Sequence, residues 1–157
     1  MIVFLPYPNY IRSIQSLDNK RLGKQRIESM QIINILENPQ STVRWKTHPA
    51  VKMWIGYTNS LKYYCNCCID EWVKRGFKNT MAKYDVDHQN EDPWFIGNDN
   101  FHRAMRARLI EKDKEFYLPK FHRPSQCKVL EYLSFHRINQ FHQYLVFFQK
   151  VHLWQYL

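Results

Sequence analysis

Between Val51 and Trp72 the residues fit for burial fall at alternating intervals of three and four: Val51, Trp54, Thr58, Leu61, Cys65, Cys68 and Trp72. That spacing sets one side of a helix against a core. No alternating apolar and polar run of any length offers a strand to compete with it. The pattern predicts a helix starting near Pro49, a residue suited to a first helical position. It closes at Arg75-Gly76, where glycine supplies a left-handed cap and Lys74 and Arg75 suit the negative end of the dipole. Cys65, Cys68 and Trp54 read as core on this helix. The expected fold class is all-α.

The rest of the chain arranges itself around that helix. Ile2–Leu5 is apolar and runs into Pro6-Tyr7-Pro8-Asn9, which excludes a regular helix and predicts an extended N-terminal arm. Ser13 or Ser16 can cap a helix over Leu17–Leu36, which ends ahead of Asn38-Pro39. Residues 38–48 read as a loop, and residues 77–98 as a polar, irregular segment. Asn98 or Asp99 can cap a third main helix, from Asn100 to about Lys114, and 115–128 reads as turn-rich and aromatic. The tail, Val129–Leu157, predicts a C-terminal helix that packs on the core or on a second subunit. A chain of 157 residues is long enough for one domain with its own hydrophobic core. The expected division is a domain over 1–121 and an aromatic extension over 122–157.

The net charge is +9 with the cations spread along the chain, which favours a polyanionic partner, nucleic acid before anionic membrane. Arg137, Lys150 and three histidines interrupt the apolar tail, so it is not a membrane span. Cys65, Cys67, Cys68 and Cys127 show no spaced pairs of a disulfide framework, and MIVFLPYPNY does not read as a cleavable leader. A reducing intracellular compartment fits: cytoplasm, nucleus or a virus particle. No glycine-rich phosphate loop is present, and no cysteine set has zinc-site spacing.

The candidate chemistry lies in LDNKRLGKQRIE, Leu17–Glu28. Lys20, Arg21, Lys24 and Arg26 surround one carboxylate, Glu28. Residues three, four and seven apart share a helix face. Arg21, Lys24, Glu28 and Gln31 therefore form a polar stripe, with Leu22, Met30, Ile33 and Leu36 mostly on another side. A lone acid among cations can hold a phosphate backbone and act on what it carries; a solvated face with a Lys24–Glu28 pair is the plainer alternative. Arg44, Trp45, Lys46 and His48 in the next loop, and His102, Arg103 and Arg106 on the third helix, extend the candidate nucleic-acid surface. His88 among Asp85, Asp87, Glu91 and Asp92 offers a metal-dependent nuclease as another alternative.

Several blocks, in order, resemble the pyrimidine dimer DNA glycosylases of the phage endonuclease V type, and more closely an uncharacterised bacterial and viral branch of that superfamily. They are Phe4-Leu-Pro-Tyr-Pro8, the LDNKRLGKQR helix, WKTHPAVKMW (Trp45–Trp54), EWVKRGF (Glu71–Phe77), PWFIG (Pro93–Gly97) and the stretch Phe101–Tyr117. The likeness covers residues 1–121. It implies an all-helical domain that binds damaged duplex DNA, cleaves a glycosidic bond and nicks the abasic strand, without metal or other cofactor. Its nucleophile would be the N-terminal α-amine, assisted by a helix glutamate, which by register is Glu28. Bulky Ile2 disfavours removal of the initiator, so Met1 would itself carry that amine. Lys20 or Lys24 is the alternative amine, and a non-catalytic, basic nucleic-acid-binding protein on the same scaffold is the alternative function. The protein is expected to act as a monomer, with the tail as a route to self-association.

Overall fold

The computed structural model describes residues 2–38, 40, 44–87 and 91–121, except the side chain of residue 44. The described residues are helical and contain no strand. Helix α1 spans Tyr10–Gln15, α2 Asn19–Glu37, α3 Pro49–Lys52, α4 Thr58–Lys74, α5 Asp99–Lys112 and α6 Lys114–Phe121, with a 3₁₀ turn at Arg44–Thr47 ahead of α3. Helices α2 and α4 make the central pair. Leu22, Ile32 and Ile33 of α2 meet the buried side of α4, where Leu61, Tyr64, Cys65 and Cys68 lie. Met30 and Leu36, expected on the apolar side of α2, are only partly buried; Ile32 and Ile35 take those places in the core.

The helix anticipated from Pro49 to Arg75 is broken. Helix α3 ends at Lys52, and Gly56, with φ of 83°, a left-handed conformation that side chains with a Cβ rarely adopt, lies in the turn that separates it from α4. The three-and-four repeat survives the break because Val51 and Trp54 are buried in the same core as Leu61, Cys65 and Cys68. Burial raises the pKa of Cys65, Cys67 and Cys68 and keeps them as thiols.

Two short helices occupy segments expected to be irregular. Asn9 caps α1 by accepting from the Arg12 N–H at 2.8 Å. Ser13, a candidate cap, instead donates to Tyr7 O at 2.8 Å and accepts from Tyr7 N–H at 3.0 Å. The cap of α2 is Asp18, which accepts from the Arg21 N–H at 2.9 Å. Asn98 caps α5 as anticipated, and α6 carries Pro119 near its end.

The arm, residues 2–7, runs extended across the helices, and side chains rather than a neighbouring strand satisfy its backbone. Tyr64 of α4 donates to Phe4 O at 3.1 Å, His102 of α5 meets Leu5 O at 2.8 Å, and Arg106 donates to Pro6 O at 2.6 Å. The irregular stretch 77–87 is pinned the same way: Asn66 exchanges two hydrogen bonds of 2.8 Å with Tyr84, and Asn59 pairs with both backbone groups of Asp87. No described helix is long and apolar enough to cross a membrane. The tail, with its expected C-terminal helix and role in self-association, lies outside the described residues.

Candidate active site

Asp18 starts α2 so that Gln25 and Glu28, three residues apart, project from one side of the helix toward the arm. The Ile2 N–H donates to Glu28 Oε2 at 3.2 Å. The Gln25 amide nitrogen donates to Ile2 O at 2.9 Å and to the same Glu28 oxygen at 3.4 Å. Gln25 Oε1 in turn accepts from the Phe4 N–H at 2.8 Å and from the Tyr64 hydroxyl at 2.8 Å. A half-buried carboxylate thus receives two N–H donors at the point where the arm begins.

His48 belongs to this neighbourhood. Its Nδ1 accepts from the Ala50 N–H at 3.1 Å and caps α3, which leaves Nε2 as the protonated nitrogen of the neutral ring. Burial pushes its pKa down, while the Glu28 carboxylate, near enough to act on it, pulls the other way. Trp45, 52% exposed, has its ring centroid 5.5 Å from the imidazole. A carboxylate held by oriented donors can stabilise developing positive charge and move a proton, and the exposed indole packed on His48 can contact a planar ring.

The expected site residues divide into two groups. Lys20 and Lys24 face solvent on α2, and Lys46 and Arg103 are also exposed. Arg21 turns inward: it lies 3.3 Å from Asp18 and 3.9 Å from Asp113, and donates to Lys112 O at 2.9 Å. Arg26 donates to Asn79 Oδ1 at 2.7 Å and sits 4.3 Å from the Trp72 ring, with burial lowering its pKa. Arg106 holds the arm and lies 3.7 Å from Asp99. His102, anticipated as a nucleic-acid contact, is 1% exposed. Its Nε2 accepts from the Gly97 N–H at 3.0 Å, so Nδ1–H donates to Leu5 O, and both ring nitrogens serve the fold. The arginines and His102 are engaged by arm and helix-end carbonyls, carboxylates, the Gly97 N–H and the Asn79 side-chain amide, contacts that spacing alone does not show.

Met1, the Arg44 side chain and His88 lie outside the described residues. Among the described residues no group of three or more His, Cys, Asp or Glu side chains is placed to hold a metal ion. Gln25 and Tyr64 were not anticipated in the sequence as site residues. The signal for Gln25 was its place three residues before Glu28, on the side of Leu22 and Ser29, where a polar residue in a core position needs a partner.

Fold and site together define an all-helical domain that delivers its N-terminal arm to a glutamate on its second helix. The family model for pyrimidine dimer DNA glycosylase matches residues 1–85, and the chain belongs to that family. No curated protein and no solved structure matches it. At the level of the family the protein is a DNA repair glycosylase, and its partner is DNA.

Proposed function

We propose that this protein is a DNA glycosylase with abasic-site lyase activity on damaged duplex DNA, with UV pyrimidine dimers as the substrate. The α-amine of Met1 is the nucleophile and Glu28 the assisting carboxylate. The observation that carries this reading is the 3.2 Å hydrogen bond from Ile2 N–H to Glu28 Oε2. Ile2 directly follows the amine, and one residue spans at most about 3.6 Å, so the amine has Glu28 within reach.

An α-amine has a pKa of roughly 7.7–8.0, so a useful fraction is unprotonated near neutral pH, unlike a lysine. Its lone pair forms a bond to C1′ as the glycosidic bond breaks, and that bond's electrons leave with the base, which takes up a proton. Nitrogen then loses a proton, its lone pair opens the C1′–O4′ bond, and O4′ takes up a proton, giving the protonated imine. Removal of a C2′ proton expels the 3′ phosphate and nicks the strand. Glu28 stabilises the positive sugar and carries protons between these steps. Lys20 and Lys24, exposed on α2, hold phosphates, with Trp45, Lys46 and His48 extending the surface beyond the carboxylate. A damaged and poorly stacked site costs least to open, which exposes the sugar to attack.

Borohydride trapping tests the reading, with Met1 verified as the mature N-terminus by mass spectrometry. Purified protein is mixed with undamaged, UV-irradiated or abasic duplex and reduced. A covalent adduct at Met1 on UV-irradiated duplex is expected. Glu28→Gln should reduce its rate by about 100-fold or more while affinity for the duplex stays within about twofold. An adduct on abasic duplex alone would reduce the activity to a lyase. Absence of any adduct, with salt-sensitive binding retained, would leave a non-catalytic binding protein.

A further inference from the structure

We propose that Gln25 is a positioning residue: its side-chain amide sets the register of the N-terminal arm and thereby how far the amine reaches toward Glu28. This deepens the reading above and rests on it. Gln25 is 1% exposed, and all four of its hydrogen-bonding positions are filled. Oε1 accepts from Phe4 N–H and Tyr64 O–H at 2.8 Å each, while Nε2 donates to Ile2 O at 2.9 Å and Glu28 Oε2 at 3.4 Å.

Its orientation is fixed chemically. The Phe4 N–H can only donate and the Ile2 carbonyl can only accept, so the amide cannot be turned over. By gripping the carbonyl of residue 2 and the N–H of residue 4, Gln25 pairs with the arm as the N–H and C=O of one residue in a parallel neighbouring strand would. That pairing distinguishes registers. A slip of one residue would turn these backbone groups to the opposite side and displace the start of the chain by about 3.3 Å, more than a hydrogen bond tolerates. Tyr64, fully buried, divides its hydroxyl proton between Gln25 Oε1 and Phe4 O, and so backs the amide from α4. Burial alone would be served by an apolar residue here. A fully satisfied amide is costly to disrupt and specifies one arrangement.

Gln25→Glu keeps the shape and the Oε1 acceptor but replaces the amino donor with an oxygen facing Ile2 O and Glu28. At high pH the new carboxylate repels both; when protonated it regains a donor and mimics the amide. Burial and the adjacent carboxylate favour that protonated form as pH falls. Two readouts on the full-length protein decide the matter. Amide hydrogen exchange at Ile2 should be at least tenfold faster in Gln25→Glu than in wild type at pH 8. The ratio of variant to wild-type trapping rates on abasic duplex should rise at least tenfold from pH 8 to pH 5, because titration of the shared amine cancels in the ratio. Tyr64→Phe, which removes only the backing hydroxyl, should show a smaller loss without the pH recovery.

A flat ratio, with Ile2 protection unchanged in a folded Gln25→Glu protein, would overturn the positioning role. If wild type forms no adduct at all, the reading of the site fails by itself. Exchange at Ile2 then decides the register claim alone: faster exchange supports it, and unchanged exchange refutes it.

Discussion

A residue's type announces its chemistry, but its partners decide whether that chemistry is free to act. On α2 the two lysines stay outside while the two arginines are drawn in, because a guanidinium can satisfy several acceptors at once. His102 shows the same contrast. Burial pushes its pKa below the ordinary histidine value, against the Leu5 carbonyl, which favours the charged ring. Protonation would set an Nε2–H against the Gly97 N–H. The folded state therefore binds a proton less readily than the unfolded chain, whose histidine titrates near about 6.5. The corresponding stability is fully present above that value and is lost as pH falls from there through the depressed folded pKa. Thermal midpoints should thus drop between about pH 7 and pH 5, with the His102 ring resonances titrating below about 6.5. A midpoint that is flat across that window, or an ordinary titration of His102, would disprove the linkage. Glu28 as a candidate was legible in the sequence because an acid amid cations stands out. Gln25 was not, because a neutral residue gives no charge signal and, apart from Glu28, its partners lie 21 to 39 positions away.

Helices show which patterns survive folding and which do not. The buried side of α4 was legible because the three-and-four repeat is a property of the helix itself. The break at Gly56 was not, because the same side of the chain remains buried across it. Helix α1 escaped notice because six residues following Pro8-Asn9 are too few to establish a period. Between α2 and α4 the close approach depends on Gly23. A Cβ at that position would lie 3.1 Å from Cζ3 and 3.2 Å from Cη2 of Trp72. The indole has little room to yield: its Nε1 donates to Lys78 O at 3.0 Å, Phe77 stacks at 4.2 Å, and Arg26 lies 4.3 Å from the ring. In an ordinary helix interior, Gly→Ala stabilises by roughly 1 kcal/mol. Here Gly23→Ala should destabilise by about 1 kcal/mol, because overpacking outweighs propensity. Urea unfolding measures it, and in a Trp72→Leu background the same substitution should become neutral or stabilising. A stabilised Gly23→Ala in the otherwise wild-type protein would refute the tight contact.

At the scale of the molecule, the family match ends at residue 85 but the interactions that complete the arm do not. The carbonyls of Leu5 and Pro6 are satisfied by His102 and Arg106 of α5. Asp18, the cap of α2, accepts from the Tyr117 hydroxyl of α6, and the Asp18 N–H donates back to that oxygen at 3.0 Å. Burial by itself would raise the pKa of Asp18, but the Tyr117 hydroxyl and the Arg21 N–H and guanidinium outweigh it and hold the carboxyl low. The core crosses the boundary too: Trp54 packs edge-on against Phe95 at 5.2 Å, and Leu109 and Tyr117 are fully buried with the residues of α2 and α4. A fragment of residues 1–85 would expose that apolar surface and lose the hydrogen bonds made by His102, Arg106 and Tyr117, each worth about 0.5–1.5 kcal/mol. Uncovering buried side chains at about 1.5–3 kcal/mol each adds to that loss and takes a large part of the stability of a small domain, about 5–15 kcal/mol. Circular dichroism of the 1–85 fragment should therefore retain some helix but show no cooperative thermal transition, whereas the full chain melts in one. A cooperative melt of 1–85 within a few degrees of the full chain would mean that α5 and α6 are accessories. Its absence would mean that the arm, and with it the approach to Glu28, is built only when the helices beyond the matched region are in place.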